Sequence, residues 1–168
     1  MRPVKSVRRY PDGHKSSIMT ALTSNVAEIG LKYRPTRVKS RVIKSSSDAY
    51  DLLISWFDKD TIFLQEMFIV AYLDRKNSVT SVYRASRGGI TGTVADPRLI
   101  VTTALKTASL GIILCHNHPS GNLVPSRMDE ELTKKIKQAA AWLDISLLDH
   151  LIISPSGEYF SMADQGLI

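Results

Sequence analysis

The 168-residue sequence has a single cysteine, Cys115. One thiol cannot close an intramolecular disulfide, so a disulfide-stapled secreted fold is excluded and a reducing compartment is favoured. The zinc deaminases are excluded as well, because they bind their metal through a Pro-Cys-x-x-Cys motif. Cys115 ends a short apolar run, and we predict that it is a buried side chain and neither a ligand nor a nucleophile.

Long hydrophobic runs are also missing. No apolar stretch reaches the roughly 18 residues that a membrane-spanning helix needs, and the basic first residues are not followed by the apolar segment of a signal peptide. We therefore expect a cytoplasmic protein without a membrane partner. The length and the 43% hydrophobic content suit one domain with a full core.

Acidic residues are scarce at the start of the chain. Residues 1–44 hold 11 of the 22 Lys and Arg but only 2 of the 16 Asp and Glu, a net charge of +9, whereas the rest carries −3. We predict a basic, partly disordered arm over residues 1–37 and a globular domain over residues 38–168. Such an arm is either a solvated leader or a non-specific binder of nucleic-acid phosphates.

Hydrophobic periodicity predicts an α/β fold with a mixed central sheet and helices on both sides. Serine, Asp-Pro and Gly signals mark where helices and turns begin. In chain order the predicted elements are strands over 26–32 and 39–44, a helix that starts within 45–48 and covers 49–57, strands over 67–73 and 78–84, a helix over 96–109, a strand over 110–115, a helix over 126–143, a strand over 145–154, and a hairpin across 155–157.

Two histidines stand where the apolar strand at 110–115 runs out into a loop. Residues two apart in an extended segment point the same way, so His116 and His118 can reach one ion. Turn residues between Pro119 and Pro125 then bring the chain back toward them. Taken alone, a His-x-His pair is a weak signal, because most histidine pairs on strands bind no metal.

A carboxylate follows at the start of the next predicted helix. Asp129 lies in its first turn beside Met128, which the periodicity places on the buried side. The pattern Ser126-x-x-Asp129 has two interpretations. It is a near-match to a capping box, and it also supplies a third metal ligand that the helix N-terminus keeps ionised.

The string His116-x-His118-Pro119, six residues, Ser126-x-x-Asp129 resembles the JAMM (MPN-plus) metalloprotease motif at every fixed position. The longer text around it, with Leu148-Asp149-His150-Leu151 downstream, is similar to the RadC branch of that superfamily over about residues 38–168. The resemblance implies a JAMM/MPN-like, cytidine-deaminase-like sandwich. It also implies a zinc-dependent metallohydrolase that cleaves a peptide or isopeptide.

The resemblance implies residue roles as well. His116, His118 and Asp129 would bind one Zn²⁺, Ser126 would help to stabilise the tetrahedral intermediate, and a glutamate on an earlier strand would be the general base toward a zinc-activated water. Between Glu28 and Glu130 the chain has one glutamate, Glu66, at the mouth of the strand over 67–73. The alternative interpretation of Glu66 is a solvated charge at a strand end, with no part in catalysis.

Two points stay open. Asp149 and His150 interrupt an apolar strand, and either they support the ligands or they are a satisfied buried polar pair. The alternative function is a nucleic-acid-associated module of DNA repair or of a mobile element, with a structural or accessory metal. RadC-like proteins commonly carry a helix-hairpin-helix DNA-binding segment. No Gly-x-Gly hairpin precedes residue 38, so a protein of DNA repair and a stand-alone catalytic domain both stay open as interpretations.

Overall fold

The computed structural model describes residues 41–88 and 95–168. The basic arm, the predicted strand over 26–32 and the proposed boundary at residue 38 lie outside these residues. The described elements are α1 (Ser46–Leu53), a 3-10 turn (Ile54–Trp56), β1 (Met67–Leu73), β2 (Val79–Arg87), α2 (Pro97–Lys106), β3 (Gly111–Asn117), α3 (Arg127–Ala141), β4 (Ser146–Ile153) and β5 (Tyr159–Ser161).

The five strands form one mixed sheet in the order β2-β1-β3-β4-β5. β3 and β4 are parallel, and the other neighbouring pairs are antiparallel. α3 is the crossover that a parallel pair requires. The predicted α/β fold with a mixed sheet is therefore confirmed.

The apolar core lies on both faces of this sheet. On the first face, Ile69 and Ile113 of the sheet pack in one cluster with Leu53 of α1. The second face packs against α2 and α3 and includes Val70 and Ile112. β1 and β3 are buried along their whole length. The apolar runs predict this for β1 and for β3 as far as Cys115, and β3 continues two residues further than predicted, through the buried His116 and Asn117.

Local signals set the helix starts where the sequence predicts them. Ser45 caps α1, Asp96 caps α2 with Pro97 at its first position, and Ser126 caps α3. The three helices all end two or more residues earlier than predicted, because propensity marks the ends of helices less sharply than caps mark their starts.

Two sequence-based expectations are wrong. The segment 41–44 forms an isolated bridge between Val42 and Ser78, not a strand. Met128 is 71% exposed rather than buried. The buried stripe of α3 instead runs through Asp129, Thr133, Ile136 and Ala140, because the inward-facing residue of the first turn is the polar Asp129, and its neighbour Met128 is then turned outward.

Within the part of the chain that the structure describes, no helix has both the length and the apolar character needed to span a bilayer.

Candidate metal centre

Three side chains from the end of β3 and the start of α3 converge on one point. The Nε2 atoms of His116 and His118 are 2.9 Å apart. Asp129 Oδ1 lies 3.2 Å from His116 Nε2, and Asp129 Oδ2 lies 3.6 Å from His118 Nε2. One donor atom from each residue falls within 4.8 Å of the others. The three predicted ligands thus lie together.

The backbone after β3 holds His118 in place. Its amide N–H donates to the Ile153 carbonyl at 2.9 Å, which extends the pairing with β4 beyond the end of β3. Its ring Nδ1 lies 2.5 Å from the Asn122 carbonyl. A carbonyl oxygen can only accept, so Nδ1 carries the proton and Nε2 is left with a free lone pair. Gly121, at φ +78°, makes the turn that brings Asn122 back.

Both carboxylate oxygens of Asp129 lie near the two histidines, and one of them also caps α3. Its Oδ2 accepts from the Ser126 backbone N–H at 2.7 Å and from the Ser126 hydroxyl at 2.6 Å. The Asp129 N–H donates in return to Ser126 Oγ at 3.2 Å, which completes a capping box. Oδ1 faces His116. The capping and the ligand interpretations of the motif are therefore compatible in one side chain.

Burial and charge set the protonation of the centre. Burial lowers the pKa of His116 to about 4, so this ring is neutral at pH 7. The Asp129 carboxylate raises the pKa of His118, against the opposing effect of burial. Burial acts to raise the pKa of Asp129, but His118, His116 and Ser126 together lower it well below its usual range. The group therefore offers an ionised carboxylate and a neutral buried imidazole.

This donor set fits a divalent metal ion. Two imidazole lone pairs 2.9 Å apart repel each other unless a proton or a cation lies between them. With bonds of about 2.0–2.1 Å, neighbouring corners of a tetrahedral zinc site are about 3.3 Å apart. Here the two Nε2 atoms are 2.9 Å apart and Asp129 Oδ1 lies 3.2 Å from His116 Nε2, and one donor atom from each of the three residues lies within 4.8 Å of the others. Two histidines and one carboxylate leave a fourth position for water or substrate.

Glu66 lies beside this group. It is the residue before β1, it is half-buried, and its carboxyl group is close enough to His118 and Asp129 for both to shift its pKa. Burial is the largest effect and raises the pKa, His118 lowers it, and Asp129 raises it. The alternative of a fully solvated charge does not describe this environment.

Asn117 is a residue whose role the sequence did not reveal. Asn117 lies between the two histidines of the motif in the sequence. Its side chain is buried, and it points to the face of β3 opposite to theirs. Its Oδ1 accepts from the Met67 N–H at 2.8 Å, and its Nδ2 donates to the carbonyls of Ile62 and Gln65 at 2.9 and 3.0 Å. These bonds hold the segment that carries Glu66. A buried amide between two ligands is the signal that could have found it.

His150 and Asp149 turn out to have different surroundings. His150 Nε2 lies 2.8 Å from His116 Nδ1, directly behind a candidate ligand. Asp149 lies on the other face, where its oxygens accept from the His150 and Ala163 amides and from the Ser161 hydroxyl. The supporting role therefore fits His150, and the satisfied buried polar group is Asp149.

Cys115 was predicted to be a buried side chain, and it is fully buried on the same face of the sheet as Asp149.

A family model described as "RadC-like JAB domain" matches residues 43–167. The mixed sheet with its three helices is thus that of the JAB/MPN superfamily, and the clustered His-His-Asp group is consistent with the JAMM-type metallohydrolases of that superfamily. The chain belongs to the RadC family.

Relatives in several bacteria are similar over most of this region. A UPF0758 protein of Flavobacterium johnsoniae is 41% identical over 152 residues, which cover 90% of this chain and 62% of the relative. A UPF0758 protein of Porphyromonas gingivalis is 45% identical over 104 residues, 62% of this chain and 46% of the relative. One from Acidovorax sp. is 44% identical over 103 residues, 61% of this chain and 43% of the relative. The chain thus spans between about two fifths and three fifths of these relatives' lengths.

Proposed function

We propose that the protein is a zinc-dependent peptidase or isopeptidase with Glu66 as general base. The observation that carries the proposal is the convergence of His116, His118 and Asp129 beside a half-buried glutamate at the end of the sheet. Histidine and carboxylate ligands with one open position are typical of catalytic zinc sites, whereas structural sites are closed by four protein ligands.

The metal, when bound by these three side chains, would supply an activated water with a pKa of about 7 and would polarise a substrate carbonyl. Glu66 would take the proton from the attacking water and return it to the leaving amine nitrogen. Burial raises the pKa of Glu66, which makes its carboxylate a stronger base than an exposed one. His116, neutral and enclosed, would keep water from one side of the site.

Ser126 could stabilise the tetrahedral intermediate only if its hydroxyl group changed its hydrogen bond. Its hydroxyl proton is directed to Asp129 Oδ2 at 2.6 Å. To stabilise a developing oxyanion, Ser126 would have to turn that proton away from Asp129. In the geometry described here, its contribution is to hold Asp129 in position.

The test combines metal content with hydrolysis. Wild type should bind one zinc per chain, and His118→Ala should bind much less. Glu66→Gln should keep the metal but lose about 100- to 10,000-fold in rate toward a panel of peptide and isopeptide amides, since it cannot accept the proton. Glu158→Gln, an exposed glutamate in the β4–β5 turn, is the matched control and should behave as wild type. Unchanged zinc content in His118→Ala, or no hydrolysis of any amide by the zinc-loaded protein, would contradict the proposal.

A second candidate function rests on the charge of the N-terminal region. A net charge of +9 over residues 1–44 favours non-specific contact with nucleic-acid phosphates. We propose that double-stranded DNA binds here. The observed affinity should then fall by about 0.9 log units per log unit of salt for each phosphate contacted, and it should be lost when residues 1–40 are removed. Binding that is insensitive to salt would exclude this function.

A further inference from the structure

A buried chain of three hydrogen bonds runs behind the candidate metal centre. His116 Nδ1 lies 2.8 Å from His150 Nε2, and His150 Nδ1 lies 2.6 Å from Thr133 Oγ1. The Thr133 hydroxyl lies 2.6 Å from the backbone carbonyl of Asp129. Both histidines are 0% exposed, and Thr133 is 4% exposed. The chain therefore connects the ring of one candidate ligand to the backbone of another.

The carbonyl at the end of this chain decides which way every proton points. A carbonyl oxygen only accepts, so the single proton of the Thr133 hydroxyl is donated to Asp129. Thr133 Oγ1 must then accept from His150 Nδ1–H. A neutral imidazole carries one proton, so His150 Nε2 is an acceptor, and His116 Nδ1 must donate to it. His116 Nε2 is left with its lone pair directed at His118 and Asp129.

The opposite order would disable the ligand. If Thr133 donated to His150, the proton of His150 would lie on Nε2, and the proton of His116 would be forced onto its own Nε2. That nitrogen could no longer bind a metal ion. The other neighbour of the Thr133 hydroxyl, Met162 Sδ at 3.6 Å, is a weak acceptor and competes poorly with a carbonyl at 2.6 Å.

The surroundings keep this arrangement dry and rigid. The Phe68 ring stacks on the His116 ring with 5.7 Å between the ring centroids and an interplanar angle of 6°. It meets the His150 ring edge-on, with 5.4 Å between the centroids. His118 differs, because its Nδ1 is bound by a backbone carbonyl in the loop and needs no such chain. Of the two histidine ligands, only His116 depends on distant side chains for its tautomer.

We propose that Thr133 and His150 are positioning residues that hold His116 in the Nδ1–H tautomer and thereby make it a metal ligand. The inference rests on the proposed function in so far as the group binds a metal ion. It goes beyond that function, because it assigns a task to two residues that touch neither metal nor substrate. The hydroxyl of residue 133, and not its size, is what the metal site requires.

The test compares zinc affinity among three threonine variants, measured by competition with a chelator. Thr133→Val keeps the shape but removes the proton, and its zinc affinity should fall about 10- to 100-fold. Thr133→Ser restores the hydroxyl and should bind zinc within about threefold of wild type. Thr107→Val is the matched control, because the Thr107 hydroxyl also donates to the carbonyl four residues earlier, at 2.8 Å, but at the C-cap of α2 and without a histidine partner.

A tautomer measurement provides a readout that a merely structural role would not change. Long-range ¹H–¹⁵N spectra of the metal-free wild type should show His116 as the Nδ1–H form, and Thr133→Val should show a mixture of both forms. An Nε2–H tautomer of His116 in wild type overturns the proposal, even if the valine variant fails to fold. Equal zinc affinity in Thr133→Val and wild type overturns it too, as does equal weakening in the serine or Thr107→Val variants.

The two proposals fail in different ways. If His118→Ala keeps its zinc, the metal site itself is wrong. If His118→Ala loses its zinc while Thr133→Val retains full affinity, the metal site stands and only the hydrogen-bond chain is wrong.

Discussion

The two faces of the β3–β4 pair carry buried polar groups with different connections. On the α3 side, His150 is bonded to His116 and Thr133, and through them to Asp129. On the α1 side, Asp149 is bonded to the amides of His150 and Ala163 and to the Ser161 hydroxyl. The first set ends at candidate metal ligands, and the second set closes within β4, β5 and the segment after β5.

This difference shows that burial does not identify a functional polar residue. Asp149 and His150 are neighbours in the chain, and both are buried. The alternation of a strand sends them to opposite faces. What separates them is the destination of their side-chain hydrogen bonds. The His150 ring is bonded to the candidate ligand His116, whereas the Asp149 carboxylate is bonded to two backbone amides and to the Ser161 hydroxyl. A satisfied buried group can be purely structural.

The largest contrast is expected between two aspartates changed in the same way. Asp129→Asn removes a charged candidate ligand and should lower zinc affinity by more than about 100-fold, a larger loss than follows from changing a residue that only hydrogen-bonds to a ligand. Asp149→Asn should leave zinc affinity within about threefold, because no bond of Asp149 reaches a ligand. Chelator competition measures both. A comparable loss of zinc in Asp149→Asn would show that the two faces are coupled.

The next effect concerns a residue on one face of the sheet whose hydrogen bonds position a residue of the candidate site. Asn117 lies on the α1 side, yet its three hydrogen bonds hold the segment before β1 that carries Glu66. Asn117→Ala leaves those partners unpaired and should lower the free energy of unfolding by about 2–4 kcal/mol. It should also reduce hydrolysis at least tenfold while zinc content stays at one per chain. Urea unfolding measures the loss of stability, and a metal assay distinguishes displacement of Glu66 from loss of a metal ligand. Unchanged hydrolysis in a folded variant would show that Asn117 does not position Glu66.

The smallest effect is a difference in pH dependence between the same two aspartates in the metal-free protein. Burial raises the pKa of Asp149 above its ordinary 3.8, against hydrogen bonds that lower it, whereas the histidines and Ser126 outweigh burial and lower that of Asp129. The stabilising contribution of Asp149 should be full below pH 3.8 and decline as pH rises through its raised value. That of Asp129 should be present above pH 3.8 and be lost as pH falls.

Carboxyl ¹³C titrations of the metal-free protein should therefore give midpoints on opposite sides of the ordinary value. Unfolding free energies provide a second check. The difference between wild type and Asp149→Asn should shrink as pH rises from 3 to 6, and the difference between wild type and Asp129→Asn should grow. Slopes of the same sign would contradict the assignment of the two environments.

Much of the fold was predictable because its signals are local. The strand Met67–Leu73 has its predicted bounds, and the caps at Ser45, Asp96 and Ser126 start helices where expected. Errors occur where a local pattern competes with a tertiary demand. The exposed Met128 is the clearest case, since apolar spacing favours its burial, while the inward position in that turn belongs to Asp129.

The sequence by itself determined the candidate metal-binding group of this protein. Its members are brought together by a two-residue spacing along a strand, a tight loop and a helix cap, and each of these is a short-range feature. Only the tertiary structure decided which buried polar residues support that group. Thr133, His150 and Asn117 gain their roles from the parallel pairing of β3 with β4 and from the packing of α3 and of the segment before β1. Those contacts join residues 17 to 55 positions apart, and no local pattern specifies them.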